Sequence, residues 1–132
     1  MTATRWTLTG DAADPHALAR FWALALGYVS EPGHDDPDGA SIVDPDGDRP
    51  AISFQRVPEA KTAKNRLHVD IRVAGEPPWD WPTRADLIRA KVLELGAHGA
   101  TTVREVRYED ERGSVLGHVV MLDPEGNEFC VA

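Results

Sequence analysis

One arrangement of structural signals occurs twice along this chain. In each half, an amphipathic segment ending in Leu-Gly is followed by an Asp-Pro-x-Gly turn and a strand-like segment. The amphipathic segments span residues 17–27 and 85–96, and the turns begin at Asp44 and Asp123. Because a repeated stretch is normally one supersecondary unit, this duplication constrains the fold more than composition does. The sequence predicts two unequal copies of one module, with a pocket between the copies.

Size and charge exclude several classes of protein. The 132 residues fit a single domain, 1–132, and 42% hydrophobic residues can form a core. A formal net charge of −8 argues against nucleic-acid binding, because phosphates attract Lys and Arg. The chain shows neither a signal-like apolar run nor a stretch long enough to span a bilayer. We therefore expect a cytoplasmic protein whose partners include no nucleic acid and no membrane.

The first module, residues 1–58, has clear helix boundaries. Asp14 is typical of a helix cap and Pro15 of a first helical position, while Gly27 favours a helix end. Between them, apolar residues recur at i, i+3, i+4 and i+7. Strands are predicted at residues 5–9, 40–43 and 51–57, with a tight Pro-Asp-Gly turn between the last two.

The second module, residues 67–132, follows a polar linker at 58–66. Residues 67–73 alternate apolar and polar side chains, which predicts a strand. Thr83 is the expected cap of the second helix. Further strands are predicted at residues 101–108, 117–122 and 128–131. Each module thus reads as strand, helix, then two or three strands.

In this order and with these residues, the chain resembles the vicinal oxygen chelate superfamily, in particular its glyoxalase-like domains. The resemblance implies an α+β fold of two βαβββ modules whose mixed sheets form a cup, and a homodimer. The segments that carry it are Asp14-Pro15, Leu18–Trp22, Leu26-Gly27, Phe54–Pro58, Leu67–Asp70, Leu95–Ala97 and Asp123–Cys130.

The resemblance also implies where a metal ion would bind. In metal-dependent members, ligands come from the first and last strands of each module, which here are the positions of His68 and Glu128. An imidazole and a carboxylate suit one divalent ion of Zn, Ni, Mn or Fe. The first module offers only Ser53 or Gln55, and a site with two ligands holds such an ion weakly. A partner chain completing the site, and a metal-free pocket lined by a hydrogen-bonded His68, both remain open.

Other side chains are candidates for the same pocket. Asp70 shares the face of His68, where it would orient the imidazole or act as a base, so Asp70 and Glu128 are the catalytic candidates. Trp79 and Trp81 form either a packed loop or a rim that stacks on an aromatic ligand. Cys130 is interpreted as a core residue. The candidate ligand-binding residues, with core or surface positions as the alternative, are Trp6, Phe54, Gln55 and His118.

Two classes of function follow from the resemblance, because this fold does not define a reaction. The incomplete first-module ligands favour a protein that binds or sequesters a small organic molecule, as relatives that sequester bleomycin do. The alternative is a metal-dependent lyase or isomerase in which the ion polarises a carbonyl or stabilises an enediolate. A dioxygenase is a third alternative.

Overall fold

The computed structural model describes residues 2–111 and 113–132. The chain divides into two compact units, the first ending at Lys61 and the second running from Thr62 to Ala132. Each unit has the element order βαβββ and contains one four-stranded mixed sheet. The predicted α+β fold of two such modules is confirmed. No helix among the described residues combines the length and apolar character needed to cross a bilayer.

The first unit packs one helix against its sheet. The sheet has the order β1-β4-β3-β2, with β1 parallel to β4 and the other pairs antiparallel. Helix α1 contacts β1, β3 and β4. The elements are β1 Leu8–Ala12, α1 Pro15–Leu26, β2 Val29–Ser30, β3 Gly39–Val43 and β4 Ile52–Arg56.

The second unit repeats this topology. Its sheet has the order β5-β8-β7-β6, again with the first strand parallel to the last. Helix α2 contacts β6, β7 and β8. The elements are β5 Asp70–Ile71, α2 Trp81–Ala97, β6 Thr101–Asp110, β7 Gly113–Leu122 and β8 Glu128–Val131.

The predicted boundaries of α1 and the turns are confirmed. The Asp14 side chain accepts a hydrogen bond from the Ala17 N–H at 3.1 Å, and Gly27 ends the helix with φ 70°. Such a positive φ is strained for residues that carry a Cβ, which explains the glycine. Asp44 is buried and accepts the N–H of Asp46 at 3.0 Å, as expected of a turn cap.

The first strand lies three residues later than predicted. Strand β1 runs from Leu8 to Ala12, because its parallel pairing begins where Leu8 lies beside Ile52. Residues 5–7 precede that pairing, and Trp6 is 65% exposed. The apolar–polar alternation at 5–9 therefore covers the approach to the strand and its first two residues.

The strand predicted at 67–73 is much shorter, and α2 begins earlier than expected. Only Asp70–Ile71 is strand, paired with the last two residues of β8, although the Val69 carbonyl also accepts the Cys130 N–H at 3.0 Å. Helix α2 begins at Trp81, where Asp80 caps it by accepting the Thr83 N–H at 3.2 Å. Thr83 is therefore inside the helix and is not its cap.

Candidate functional site

The second sheet has one face buried under α2 and one open face. Ile71, Phe129 and Val131 are buried, as are Val119 and Met121 on the neighbouring strand. Since side chains alternate along a strand, the residues between them point to the opposite face. Asp70 lies beside Cys130 in this register, and Cys130 lies beside Val120.

Three potential metal ligands meet on the open face. The imidazole of His68, the carboxylate of Asp70 and the thiol of Cys130 offer donor atoms that all lie within 4.8 Å of one another. The His68 Nδ1 and Asp70 Oδ1 atoms are 3.1 Å apart, and these side chains are 45% and 54% exposed. The structure therefore brings together His68 and Asp70 as predicted and adds Cys130.

Cys130 is half-buried, so the prediction that it is a core residue is wrong. Burial raises the pKa of its thiol, and the charge and side-chain hydrogen bond of Asp70 raise this pKa further. Arg104 and Lys64 act in the opposite direction. Without a bound cation, Cys130 is a neutral thiol near neutral pH that donates to the Asp70 carboxylate.

Glu128 begins β8, two residues before Cys130, but makes a different set of contacts. Its carboxylate accepts the Asn65 N–H at 3.1 Å, and its own N–H donates to the Asn65 side-chain oxygen at 2.8 Å. These hydrogen bonds fasten the chain before β5 to the first residue of β8. Glu128 is not part of the three-residue donor group of the described chain.

The donor group suits a divalent transition-metal ion. Bonds of about 2.0–2.3 Å in a tetrahedral site place ligand atoms roughly 3.3–3.8 Å apart. The observed spacing of at most 4.8 Å needs a contraction on the order of 1 Å, which exposed side chains allow. Imidazole, carboxylate and thiolate together select borderline ions such as Zn²⁺, and three ligands leave one position open.

The first unit places a different pair at the equivalent positions. Asp11 lies beside Gln55 as Asp70 lies beside Cys130, and the Gln55 amide donates to the Asp11 carboxylate at 2.9 Å. Here an amide occupies the position of the thiol. Sequence analysis missed Asp11 because it ended the first strand at Thr9.

Trp6 and Phe54 lie in different environments of the first unit. Phe54 is 7% exposed and pairs with buried Ala40. Trp6 lines an open groove of about 700 Å³ together with Arg5 and Arg49. The structure does not gather these two residues with Gln55 around one cavity.

His118 lies on the open face of the second sheet. It is two residues from Val120, the partner of Cys130, and so is a diagonal neighbour of Cys130 at a separation of about 7–8 Å. Its Nδ1 atom lies 3.1 Å from the Tyr108 hydroxyl. The Tyr108 ring in turn meets Trp81 edge-on, with centroids 6.3 Å apart.

These features define a class: duplicated βαβββ proteins in which one module carries a nitrogen donor just before its first strand, an oxygen donor on that strand and a sulfur donor on its last strand. Residues 7–132 match the glyoxalase-like domain family, and the chain belongs to that family.

Solved structures show the same fold at low sequence identity. A glyoxalase/bleomycin resistance protein/dioxygenase family enzyme from Burkholderia phytofirmans is 17% identical, with a TM-score of 0.68 over 95% of this chain and 94% of that one. A possible glyoxalase from Bacillus cereus is 17% identical, with a TM-score of 0.65 over 98% of each chain. A fosfomycin resistance protein from Mesorhizobium loti is 12% identical, with a TM-score of 0.61 over 99% and 92%. No curated protein matches the chain.

Proposed function

We propose that this protein binds a small organic molecule on the open face of its second sheet, beside a divalent transition-metal ion held by His68, Asp70 and Cys130. The observation that supports this is the convergence of three chemically different donors within 4.8 Å. Members of the family often bind a divalent metal, which agrees with this donor set.

The residues have distinct roles in this proposal. Nδ1 of His68 lies 3.1 Å from Oδ1 of Asp70, so an ion bound by both residues would take the place of this hydrogen bond, with the imidazole and the carboxylate as direct ligands. The Cys130 thiol loses its proton on metal binding, because thiolate is the form that ligates. A bound ion would supply Lewis-acid polarisation of a ligand oxygen.

A metal-free binding protein is the second candidate, and one observation favours it. His68, Asp70 and Cys130 already satisfy one another through the shared Asp70 carboxylate. The trio can therefore exist as a hydrogen-bonded network without an ion.

Elemental analysis of protein purified without chelator or metal-affinity tag tests the proposal. Near-stoichiometric metal in the wild type, lost in His68→Ala and in Cys130→Ser, is the expected result. Glu128→Gln should keep its metal, and His98→Ala, which alters an exposed histidine at the end of α2, is the matched control. If Glu128→Gln lost the metal and Cys130→Ser kept it, the ligands would instead be His68 and Glu128, as the sequence predicts. A wild type that stays metal-free after incubation with Zn, Ni, Mn and Fe supports the second candidate.

Several predictions from sequence stay predictions. They include the lyase, isomerase or dioxygenase reaction, the homodimer, the cytoplasmic location and the placement of a pocket between the modules. Titration with aldehydes and hemithioacetals would test the reaction class once the metal content is known.

A further inference from the structure

Aromatic side chains form a continuous row in the second unit. Trp79 meets Trp81 with ring centroids 5.3 Å apart, Trp81 meets Tyr108, and Tyr108 meets His118 at 6.0 Å. All of these contacts are edge-on, a geometry that aromatic pairs prefer. We call these four residues the aromatic row.

The row reaches the open face because β7 carries a bulge. Val106 pairs with His118 and Arg107 pairs with Leu116, which leaves Gly117 opposite no residue. A bulge changes the direction of neighbouring side chains and is common beside functional sites. Gly117 is also required here, since a Cβ at this position would lie 2.3 Å from the Tyr108 ring.

A buried cation holds the row in place. Arg84 is only 5% exposed, and its Nη1 donates to the Leu116 and Gly117 carbonyls at 3.0 and 2.6 Å. Its guanidinium carbon lies 4.7 Å from the Trp79 ring centroid and 5.3 Å from that of Trp81. Arg84 thus joins both tryptophans to the bulge.

The charge of Arg84 is compensated only in part. Among the described residues, Arg84 pairs with no carboxylate, and its Nε is a buried donor without a hydrogen-bond partner. Its contacts with two carbonyls and two indole rings therefore have to offset the cost of burying the cation. An aromatic surface held rigid before binding loses little freedom when a ligand arrives, which favours affinity.

We propose that the ligand of this site is a planar aromatic molecule whose ring stacks on the Tyr108–His118 end of the row while its polar substituent points to the group of His68, Asp70 and Cys130. The inference deepens the proposed function and rests on it for the position of the polar end. His118, a diagonal neighbour of Cys130, links the two halves of the site. Tyr108 is 42% exposed and offers the stacking surface.

Calorimetric titration with two matched carboxylates tests this ligand class. Naphthalene-2-carboxylate is planar, whereas decahydronaphthalene-2-carboxylate has the same charge and carbon skeleton without aromatic faces. The wild type should prefer the planar compound, and Tyr108→Leu should lose about two- to tenfold of that preference. Gly117→Ala keeps every aromatic side chain but displaces the Tyr108 ring, so it should lose a similar factor. Leu93→Ala, which removes an exposed apolar side chain of α2 in the same unit, should leave both affinities unchanged.

Equal affinity for the two carboxylates, no binding of either, or an unchanged preference in Tyr108→Leu would overturn the inference. Should Gly117→Ala not fold, Tyr108→Leu alone decides. Repeating the titration on chelator-treated protein separates the two proposals. If the protein never holds metal but still prefers the planar compound through Tyr108, the metal site is contradicted and the aromatic ligand is supported. If the protein binds metal but shows no such preference, the metal site is supported and the aromatic ligand is contradicted.

Discussion

Replacing Arg84 by methionine tests whether the buried guanidinium stabilises the bulge of β7. The substitution keeps a long side chain but removes the charge and both hydrogen bonds to the Leu116 and Gly117 carbonyls. Hydrogen bonds from a charged donor contribute roughly 1.5–3 kcal/mol each. Cation–π contacts with the two indoles add about 0.5–1 kcal/mol each. The substitution also removes the cost of burying a cation, which offsets several kcal/mol of this loss.

The net effect expected for Arg84→Met is a loss of about 3 kcal/mol in the free energy of unfolding, because two buried carbonyls lose a charged donor. In a domain of this size, that corresponds to a fall in Tm on the order of 10 °C. Urea denaturation followed by tryptophan fluorescence measures the change, since Trp79 and Trp81 both contact the substituted side chain.

Arg89→Met is the matched control in the same helix. The Arg89 side chain is 53% exposed, and its ion pair with Glu105 is long, at 3.7 Å. Removing it should cost less than about 0.5 kcal/mol. If Arg84→Met were as stable as Arg89→Met, or more stable than wild type, the role assigned to Arg84 in holding the bulge would be refuted.

Three further predictions concern stability. The pKa of Asp44 is lowered, chiefly by the Asp46 N–H, so its contribution to stability is complete above about pH 4 and is lost as pH falls through its folded pKa. Acid titration of Asp44→Asn should therefore show a shallower loss below that pH, and a loss as steep as in the wild type would contradict this. Gly27→Ala should destabilise by about 1–2 kcal/mol because φ is 70°, whereas Gly96→Ala, inside α2 with open space around it, should stabilise by roughly 0.5–1 kcal/mol in the same urea assay. Phe129→Ala should cost about 3–5 kcal/mol, against little for Leu67→Ala, because these side chains are 1% and 79% exposed; equal costs would refute the packing described for β8.

The parts of the fold that sequence predicts well are those with strong local signals. Asp14, Pro15 and Gly27 define α1 because capping and positive φ are local properties of the chain. The extent of β1 and β5 depends on where a distant last strand can pair, which no local pattern contains. Asp80 was missed as the cap of α2 because the surrounding tryptophans and prolines read as a loop.

The candidate site was predicted only in part, because local patterns located some of its residues and contain no information on contacts between distant ones. His68 and Asp70 follow from alternation next to the linker, and the structure brings them together. Cys130 was assigned to the core because its neighbours are apolar, although Phe129 and Val131 are the buried residues and alternation places Cys130 opposite them. The contact between Asn65 and Glu128 joins residues 63 positions apart, a distance at which sequence patterns carry no pairing information.

The parallel pairing of β5 with β8 has a consequence for how an ion would act on the whole chain. Strand β5 is two residues long and lies at the edge of its sheet, so few main-chain hydrogen bonds hold it. An ion shared by Asp70 and Cys130 would be a cross-link that closes a loop of about 60 residues, and such a link restricts the unfolded chain by about 4 kcal/mol. Part of the ion's affinity would then be folding free energy, and removal of the ion by a chelator and detachment of the edge strand would be one event.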